Sequence, residues 1–461
     1  MQSIAANTLL RGLGTLVDNP VLTGVVTDSR AVKQGSLFVC IAGERVDGHA
    51  YAKQALSQGA AGILAQHAIA GVPAQKIVMV QNVLDAMIVL GGNYRAQFTP
   101  ILTGVTGSVG KTTTKEFCFA VFSAFGETLK TQGNQNNEIG MPNTLLRMDD
   151  TTQYAVIEMG MQGLGEIEKL TKAARPCGAI ITGIGVSHLE QLGTRENICK
   201  AKLEICDGMP SGAPLVLNGD DVLLSNAKLR ADLRPVLFAV HHKNADVVAE
   251  DICTDARGTR FTIADQEHGR LPAYIPALGE HNVMDALSAY ALATRLGLDA
   301  KKCAAALSGY KTTGHRQNLV QCRGIAVFED CYNASPDSMR AALITLRDYA
   351  VQGNRIAVLG DMFELGGATQ SAHSSIGDLC RDCGVDLLIT VGDAMQYAHQ
   401  RAHDLGVESV HCAEKAEAAA LLRQMCRSGD AVLVKASHGM EFEKILAAFY
   451  ADEENGESKR G

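Results

Sequence analysis

The residues best equipped for chemistry sit in the run Val105-Thr-Gly-Ser-Val-Gly-Lys-Thr-Thr113. Gly107, Ser108, Val109 and Gly110 make a glycine turn in which backbone N–H groups converge on phosphate oxygens. Lys111, Thr112 and Thr113 then open a helix whose N-terminal dipole favours anions. A lysine at this place bridges the β- and γ-phosphates of a nucleotide, and the following hydroxyl binds magnesium. The general pattern of such loops has glycine five places before Gly110, where this chain has Val105. A structural turn is the competing reading; an apolar strand before the loop and a helix after it favour a nucleotide.

Magnesium requires further hard ligands. Glu158 ends the apolar run Tyr154-Ala-Val-Ile-Glu158, and loops beyond the C-terminal ends of parallel strands form the ligand crevice of such sheets. It either binds the metal or caps a neighbouring helix. His188 follows another strand and falls on the same rim, where a lone histidine is either a ligand or an ordinary packed residue. Lys202 lies on an expected helix over residues 196–206 among Lys200 and Glu204, a set that by itself reads as a solvated charged face. Cys380-x-x-Cys383 lacks the partner ligands of a zinc site.

Three blocks of elements must place these groups. Residues 1–97 show short strands at 25–30, 36–42 and 62–66 and a helix at 50–59. Residues 98–312 contain apolar runs at 101–106, 154–159, 177–184, 214–218 and 235–240, separated by helical patterns, as in a parallel doubly wound sheet. An antiparallel excursion is expected at 247–263 and an alanine-rich helix at 281–296. Residues 313–461 show four buried-type strands at 324–329, 355–360, 386–391 and 431–435 with helices between them, a second α/β sheet.

The bulk composition narrows the partners. A net charge of -8 opposes broad nucleic-acid or anionic-membrane binding, which needs a basic footprint. No apolar run approaches the length of a membrane span, and the N-terminus lacks a secretory pattern. The 13 cysteines, scattered among apolar neighbours, fit reduced buried thiols and a cytoplasmic chain. The polar run 452–461 is expected to fray.

Taken together the segments resemble the Mur ligase family, which builds the peptide stem of the bacterial cell wall. The phosphate loop, Gly133-Asn-Gln-Asn-Asn-Glu-Ile-Gly140, Glu158-Met-Gly160, Ser187-His-Leu189 and Ala201-Lys-Leu-Glu204 resemble its central domain. Gly279-Glu-His-Asn-Val-Met-Asp285 resembles the start of its adenine-binding helix. Thr27-Asp-Ser-Arg30 and Asp47-Gly-His49 resemble its grip on a UDP-linked substrate. Asp330-Cys-Tyr-Asn-Ala-Ser-Pro-Asp-Ser-Met339 and Val358-Leu-Gly-Asp-Met-Phe-Glu-Leu-Gly366 resemble the branch that adds D-alanyl-D-alanine to UDP-N-acetylmuramoyl-tripeptide. The Asp-Asn-Pro-Arg motif of the branch that adds a diamino acid is absent. Two departures stand out: Lys435-Ala-Ser-His438 replaces Lys-Gly-Ser-Arg, and Asp285 stands where a second asparagine is usual.

The resemblance implies three α/β domains: a small N-terminal substrate domain, a central P-loop ATPase domain with a mostly parallel doubly wound sheet, and a Rossmann-like C-terminal domain. It implies ATP, two magnesium ions and an acyl-phosphate route. Thr112, Glu158, His188 and Lys202 become the metal set, with Lys202 carbamylated so that a cation becomes an anionic oxygen donor; Lys200 is the competing assignment. Asn282 would read adenine, Asp330 would hold the ribose unless it is merely a strand-end group, and Arg316 would reach the γ-phosphate unless it is a surface ion pair. Ser29, Arg30, Asn136, Asn137 and Thr144 would contact the UDP-linked tripeptide, and Tyr332, Asn333 and Ser335 the dipeptide. A hinge is expected at residues 310–314, in a monomer. The rivals are a folylpolyglutamate-synthase-like ligase, a non-catalytic nucleotide-binding paralogue and a P-loop hydrolase or kinase.

Overall fold

The computed structural model describes residues 1–43 and 46–451; the run 452–461 lies outside the described residues. Four sheets organise the described residues. A two-stranded antiparallel pair, Ile4–Ala5 with Val21–Leu22, precedes a parallel sheet of Gly24–Val26, Ser36–Val39, Gly62–Ala65 and Ile77–Met79. The strand expected over residues 25–30 stops at Val26. Asp28 ends it by accepting the Arg30 N–H at 2.9 Å, which caps a 3-10 turn, Ser29–Ala31. The helix expected over 50–59 is shorter, Ala52–Ser57, behind the turn Gly48–Tyr51.

The helix Val83–Arg95 starts at Asn82, whose side chain accepts the Leu84 and Asp85 N–H groups. Its buried face includes Met87, Leu90 and Tyr94 and joins one apolar core with Met141, Leu145 and Ile157 from the second block. The Tyr94 hydroxyl donates to Met148 O at 2.9 Å, and Gly91 lies so close to Pro142 that a side chain there would collide. The last helix of the first block is therefore packed as part of the second.

The second block holds a nine-stranded sheet. From the Thr128–Lys130 edge the order runs through Tyr154–Glu158, Ile101–Thr106, Gly178–Ile181, Pro214–Asn218 and Arg234–Ala239, all parallel. Both faces are covered, as the near-continuous apolar strands require. Leu102, Ile157, Ile181 and Leu215 face one core; Val105, Val156, Ile180 and Val216 face the other, against the helices Lys111–Ser123 and Glu280–Arg295. Each such aliphatic side chain contributes roughly 1.5–3 kcal/mol when fully buried. The excursion expected at 247–263 is larger, a meander of Val247–Asp255, Gly258–Asp265 and Gly269–Ile275.

Ile101–Thr106 pairs with Tyr154–Glu158 on one side and Gly178–Ile181 on the other, while the chain visits the first neighbour before crossing to the second. That is a topological switch point, and the glycine loop leaves its C-terminal end.

The third block is a six-stranded sheet with Asn318–Cys322 antiparallel at one edge and five parallel strands. The four strands expected from the sequence are present. Asn318–Cys322 and Glu408–Cys412 are additional, and both are sheet edges with half-exposed, polar-interrupted patterns. Cys380 and Cys383 are free buried thiols whose pKa burial pushes up. Among the described residues, no helix is long and apolar enough to cross a membrane.

Candidate active site

The glycine loop holds its shape through positive-φ backbone that favours glycine. Gly107 has φ +147°, and a Cβ there would lie 1.9 Å from the Thr182 hydroxyl. Gly110 has φ +82° as the residue before the helix Lys111–Ser123. Ser108 N donates to Gly183 O at 2.9 Å, which pins the loop to the neighbouring strand end. The Lys111 ammonium curls back over the loop and donates to Gly107 O (2.8 Å) and Ser108 O (3.2 Å). Burial lowers its pKa, the Glu158 charge opposing this and Arg316 adding to it.

Glu158 is buried at the end of Tyr154–Glu158. One carboxylate oxygen accepts the Thr112 hydroxyl at 3.0 Å and the other the Asn136 amide at 2.7 Å. It is not a helix cap. Behind it Lys115, also buried, lies 3.8 Å from Glu158 and 3.2 Å from Glu116, which is further bound to Lys130. These charges were missed in the sequence because Lys115 and Glu116 look like helix surface; the buried helix face alone reveals them.

His188 has a left-handed backbone, φ +64°, before the short helix Leu189–Leu192. Burial and the Lys202 and Lys111 charges push its pKa down to about 4, so the imidazole is neutral near pH 7. Its Nδ1 lies 3.1 Å from Glu364 Oε2, close but without hydrogen-bond alignment. Lys202 overturns the charged-face reading. It sits inside the helix Arg195–Leu203, which ends before the expected residue 206, and its ammonium nitrogen is fully buried with no hydrogen-bond partner. Burial, reinforced by Lys111, holds its pKa well below the usual lysine range. The competing Lys200 is exposed.

Lys111, Thr112, Glu158 and His188, but not the fully buried Lys202, line a cavity of about 680 Å³ between the second and third blocks. Its walls include Ser108, Val109, Gly110, Thr113, Asn136, Asn137, Asn282, Arg316, Asp330, Tyr332, Asn333 and Ser335 among the residues expected at the site. Asn282 donates its amide to Leu278 O (2.6 Å) and to Gln317 Oε1 (2.9 Å). Asp330 pairs with buried Lys435 at 2.7 Å, and Lys435 also donates to Asn333 O at 2.9 Å. Ser335 caps the helix Pro336–Asp348 in a reciprocal box with Ser338, and Asn137 accepts the Gly140 N–H at 2.9 Å.

Besides Lys202 and Gly107, which stand behind the wall, three expected residues are elsewhere. Thr144 is corrected: it is fully buried on the helix Gly140–Leu145, and its hydroxyl returns to Gly140 O at 3.1 Å. Ser29 and Arg30 belong to the N-terminal sheet and do not reach this cavity, Arg30 being exposed and paired with Asp28 at 2.7 Å. Asp47, His49 and His67 approach within ligand distance of one another. His49 is nevertheless committed at both ring nitrogens, to Asp47 (2.6 Å) and to the Gln66 N–H (3.1 Å).

Family models place this architecture. The Mur ligase middle domain matches residues 105–293, the Mur ligase glutamate ligase domain residues 315–438, and the Mur ligase family catalytic domain residues 21–94. The UDP-N-acetylmuramoyl-tripeptide--D-alanyl-D-alanine ligase of Bacillus subtilis (strain 168) is 37% identical over 93% of either chain. The chain belongs to the Mur ligase family. Within it the chain is of the MurF type. MurF from Acinetobacter baumannii superimposes with a TM-score of 0.88 at 28% identity, covering 97% of this chain and 99% of the other. MurF ligase from Thermotoga maritima, solved in complex with ADP, gives a TM-score of 0.83 at 26% identity over 94% and 98%. As a Mur ligase the chain is an ATP-dependent ligase, and its three α/β parts are the N-terminal, central ATPase and C-terminal domains of that architecture.

Proposed function

We propose that this chain joins D-alanyl-D-alanine to UDP-N-acetylmuramoyl-tripeptide, forming ADP and phosphate in the cytoplasm as a monomer. The observation that carries the reading is one cavity. The phosphate loop from Ser108 onward, the buried Glu158, the half-buried His188 and the Asp330–Lys435 strand ends all line it, and fully buried Lys202 acts electrostatically on His188. We set the domain boundaries at 97/98 and 312/313.

The reaction must bring a carboxylate to a triphosphate, so positive charge and fixed in-line geometry are needed. A carboxylate oxygen of the tripeptide attacks the γ-phosphorus, and the bond to the ADP oxygen breaks, leaving an acyl phosphate. The dipeptide amine then attacks the acyl carbon. The tetrahedral intermediate expels phosphate as the amide forms, and the amine's surplus proton leaves to solvent.

Lys111, released from its own loop carbonyls, holds the β- and γ-phosphates. Gly107, Ser108, Val109, Gly110 and Thr113 present their N–H groups to the same oxygens. Asn282 reads adenine, Asp330 orients the ribose, and Arg316 reaches the γ-phosphate. Asn136 and Asn137 face the tripeptide, while Asn333 and Ser335 face the dipeptide. Ser29 and Arg30 meet the UDP end.

The donor set fits a hard divalent ion: a hydroxyl on Thr112, a carboxylate on Glu158 and a neutral imidazole on His188. An ammonium does not fit, but the orphaned, desolvated Lys202 nitrogen fits a carbamate, which supplies an oxygen donor. Two magnesium ions on Thr112, Glu158, His188 and carbamylated Lys202 would neutralise the charge that develops on the transferred phosphoryl group.

Phosphate release from ATP in the presence of UDP-N-acetylmuramoyl-tripeptide tests the reading. Turnover that requires the dipeptide supports it, and turnover indifferent to the dipeptide overturns it. A hydrolase or a non-catalytic paralogue fails the same assay.

A further inference from the structure

The third-block wall contains a stacked group that substrate binding alone does not explain. The Arg316 guanidinium carbon lies 3.8 Å from the centre of the Tyr332 ring. The His438 imidazole stacks on that ring as well, with centroids 5.3 Å apart and planes 26° from parallel. The backbone ties the same two segments: Tyr332 N donates to His315 O at 3.2 Å. His315 is held in turn by Glu329 at 3.1 Å, and the Thr312 hydroxyl bonds to Arg316 O at 2.8 Å. Arg316, Tyr332 and His438 line the cavity together with Lys111.

A guanidinium seated over an aromatic face has its position restrained by the ring and its outward N–H donors left available to a ligand. A ring covered at its centre by a guanidinium offers little face to a small dipeptide. The sequence suggests Tyr332 as a dipeptide contact, but the geometry gives it a different task. We infer that Tyr332 is a positioning residue that aims Arg316 at the transferring phosphoryl group, with His438 bracing the ring. The inference rests on the role of Arg316 given under Proposed function.

The test compares Tyr332→Leu, Tyr332→Phe, Arg316→Ala and the double variant Tyr332→Leu/Arg316→Ala in the full-length enzyme. It measures kcat, the KM of each substrate and the thermal midpoint. Tyr332→Leu is expected to lower kcat about tenfold with the dipeptide KM nearly unchanged, while Tyr332→Phe, which keeps the ring, recovers most of the loss. In the Arg316→Ala background Tyr332→Leu should cost nothing further, because it acts through the missing guanidinium. A raised dipeptide KM that persists in that background would overturn the inference while leaving the role of Arg316 intact. An Arg316→Ala enzyme with undiminished kcat would instead overturn that role, and the inference with it. Should Tyr332→Leu not fold, His438→Ala is expected to show the same pattern at about threefold, also abolished by Arg316→Ala. An additive loss there counts against the inference.

Discussion

Lys202 shows how little of a residue's role its neighbours in sequence disclose. Among Lys200 and Glu204 it looks solvated, yet the helix turns it inward, where its nitrogen has no partner. An amine held well below its usual pKa is neutral in larger fraction near pH 7, and a neutral amine is what carbon dioxide adds to. The carbamate carbon should therefore appear by NMR under 13C-labelled carbon dioxide, and disappear in Lys202→Arg but not in Lys200→Arg. A label that follows Lys200 would reassign the ligand. Asp285, the departure from the usual asparagine, has a comparable explanation. Burial raises its pKa to about 8 against the Thr114 hydrogen bond, so at neutral pH it is largely protonated and carries, like asparagine, a donor and an acceptor. Between the unfolded carboxylate range and pH 8 the folded state binds an extra proton, so this group's stabilisation is full below that interval, is lost across it and is gone above pH 8. Asp285→Asn should match the parent in denaturant stability near pH 4 and exceed it increasingly up to about pH 8, by about 1.4 kcal/mol per pH unit, with the difference levelling off above that. Equal pH slopes for the two proteins would refute a raised Asp285 pKa.

At the scale of elements, legibility followed burial. Strands covered on both faces, such as Ile101–Thr106 and Ala431–Lys435, announce themselves as unbroken apolar runs. The edges Asn318–Cys322 and Glu408–Cys412 do not, because half their side chains face water and their pairing is decided by distant strands. The glycine loop was legible through spacing despite Val105, which sits buried in the strand rather than in the turn. The close approach that requires Gly110 was not legible, since its neighbour comes from the helix Glu280–Arg295. A Cβ on Gly110 would lie 2.5 Å from Asp285 Oδ1, a side chain fixed by Thr114. Gly110→Ala must bear a left-handed φ and displace that buried group, at a combined cost of roughly 2–4 kcal/mol. It should also weaken ATP binding at least about tenfold through the displaced loop amides. Urea unfolding and titration with a fluorescent nucleotide measure the two effects. A variant of parental stability that still binds ATP normally would show that the loop relaxes freely.

For the whole molecule, a hinge is expected within residues 310–314, and the two ends of that segment are held by different domains. The Tyr310 ring stacks on Phe117 with centroids 4.0 Å apart, so it belongs to the central domain. His315 is bound to Glu329 and to the Tyr332 N–H, so it belongs to the C-terminal domain. Bending on closure is expected in residues 311–314 between these anchors, where Gly314 has φ +63°. The two domains meet in the structure: Glu364 reaches His188, Asp337 lies against Gly185, and Gly366 against Glu190. None of these contacts was legible, because each joins a C-terminal loop to a central one. These loop contacts are polar and partly exposed, so each is weak; the domains are also joined by the Asn282–Gln317 hydrogen bond and by Leu278, which is buried in the third-block core. Ligands that touch both walls of the cavity favour the closed form by their differential contacts. An ATP analogue given with both substrates should therefore contract the scattering radius of the free enzyme. Glu364→Ala should leave the free enzyme more expanded than the parent while still allowing contraction on full ligation. Curves that do not change with ligand would remove closure from the mechanism. A Glu364→Ala curve identical to the parent's would show that the His188 contact does not help hold the domains shut.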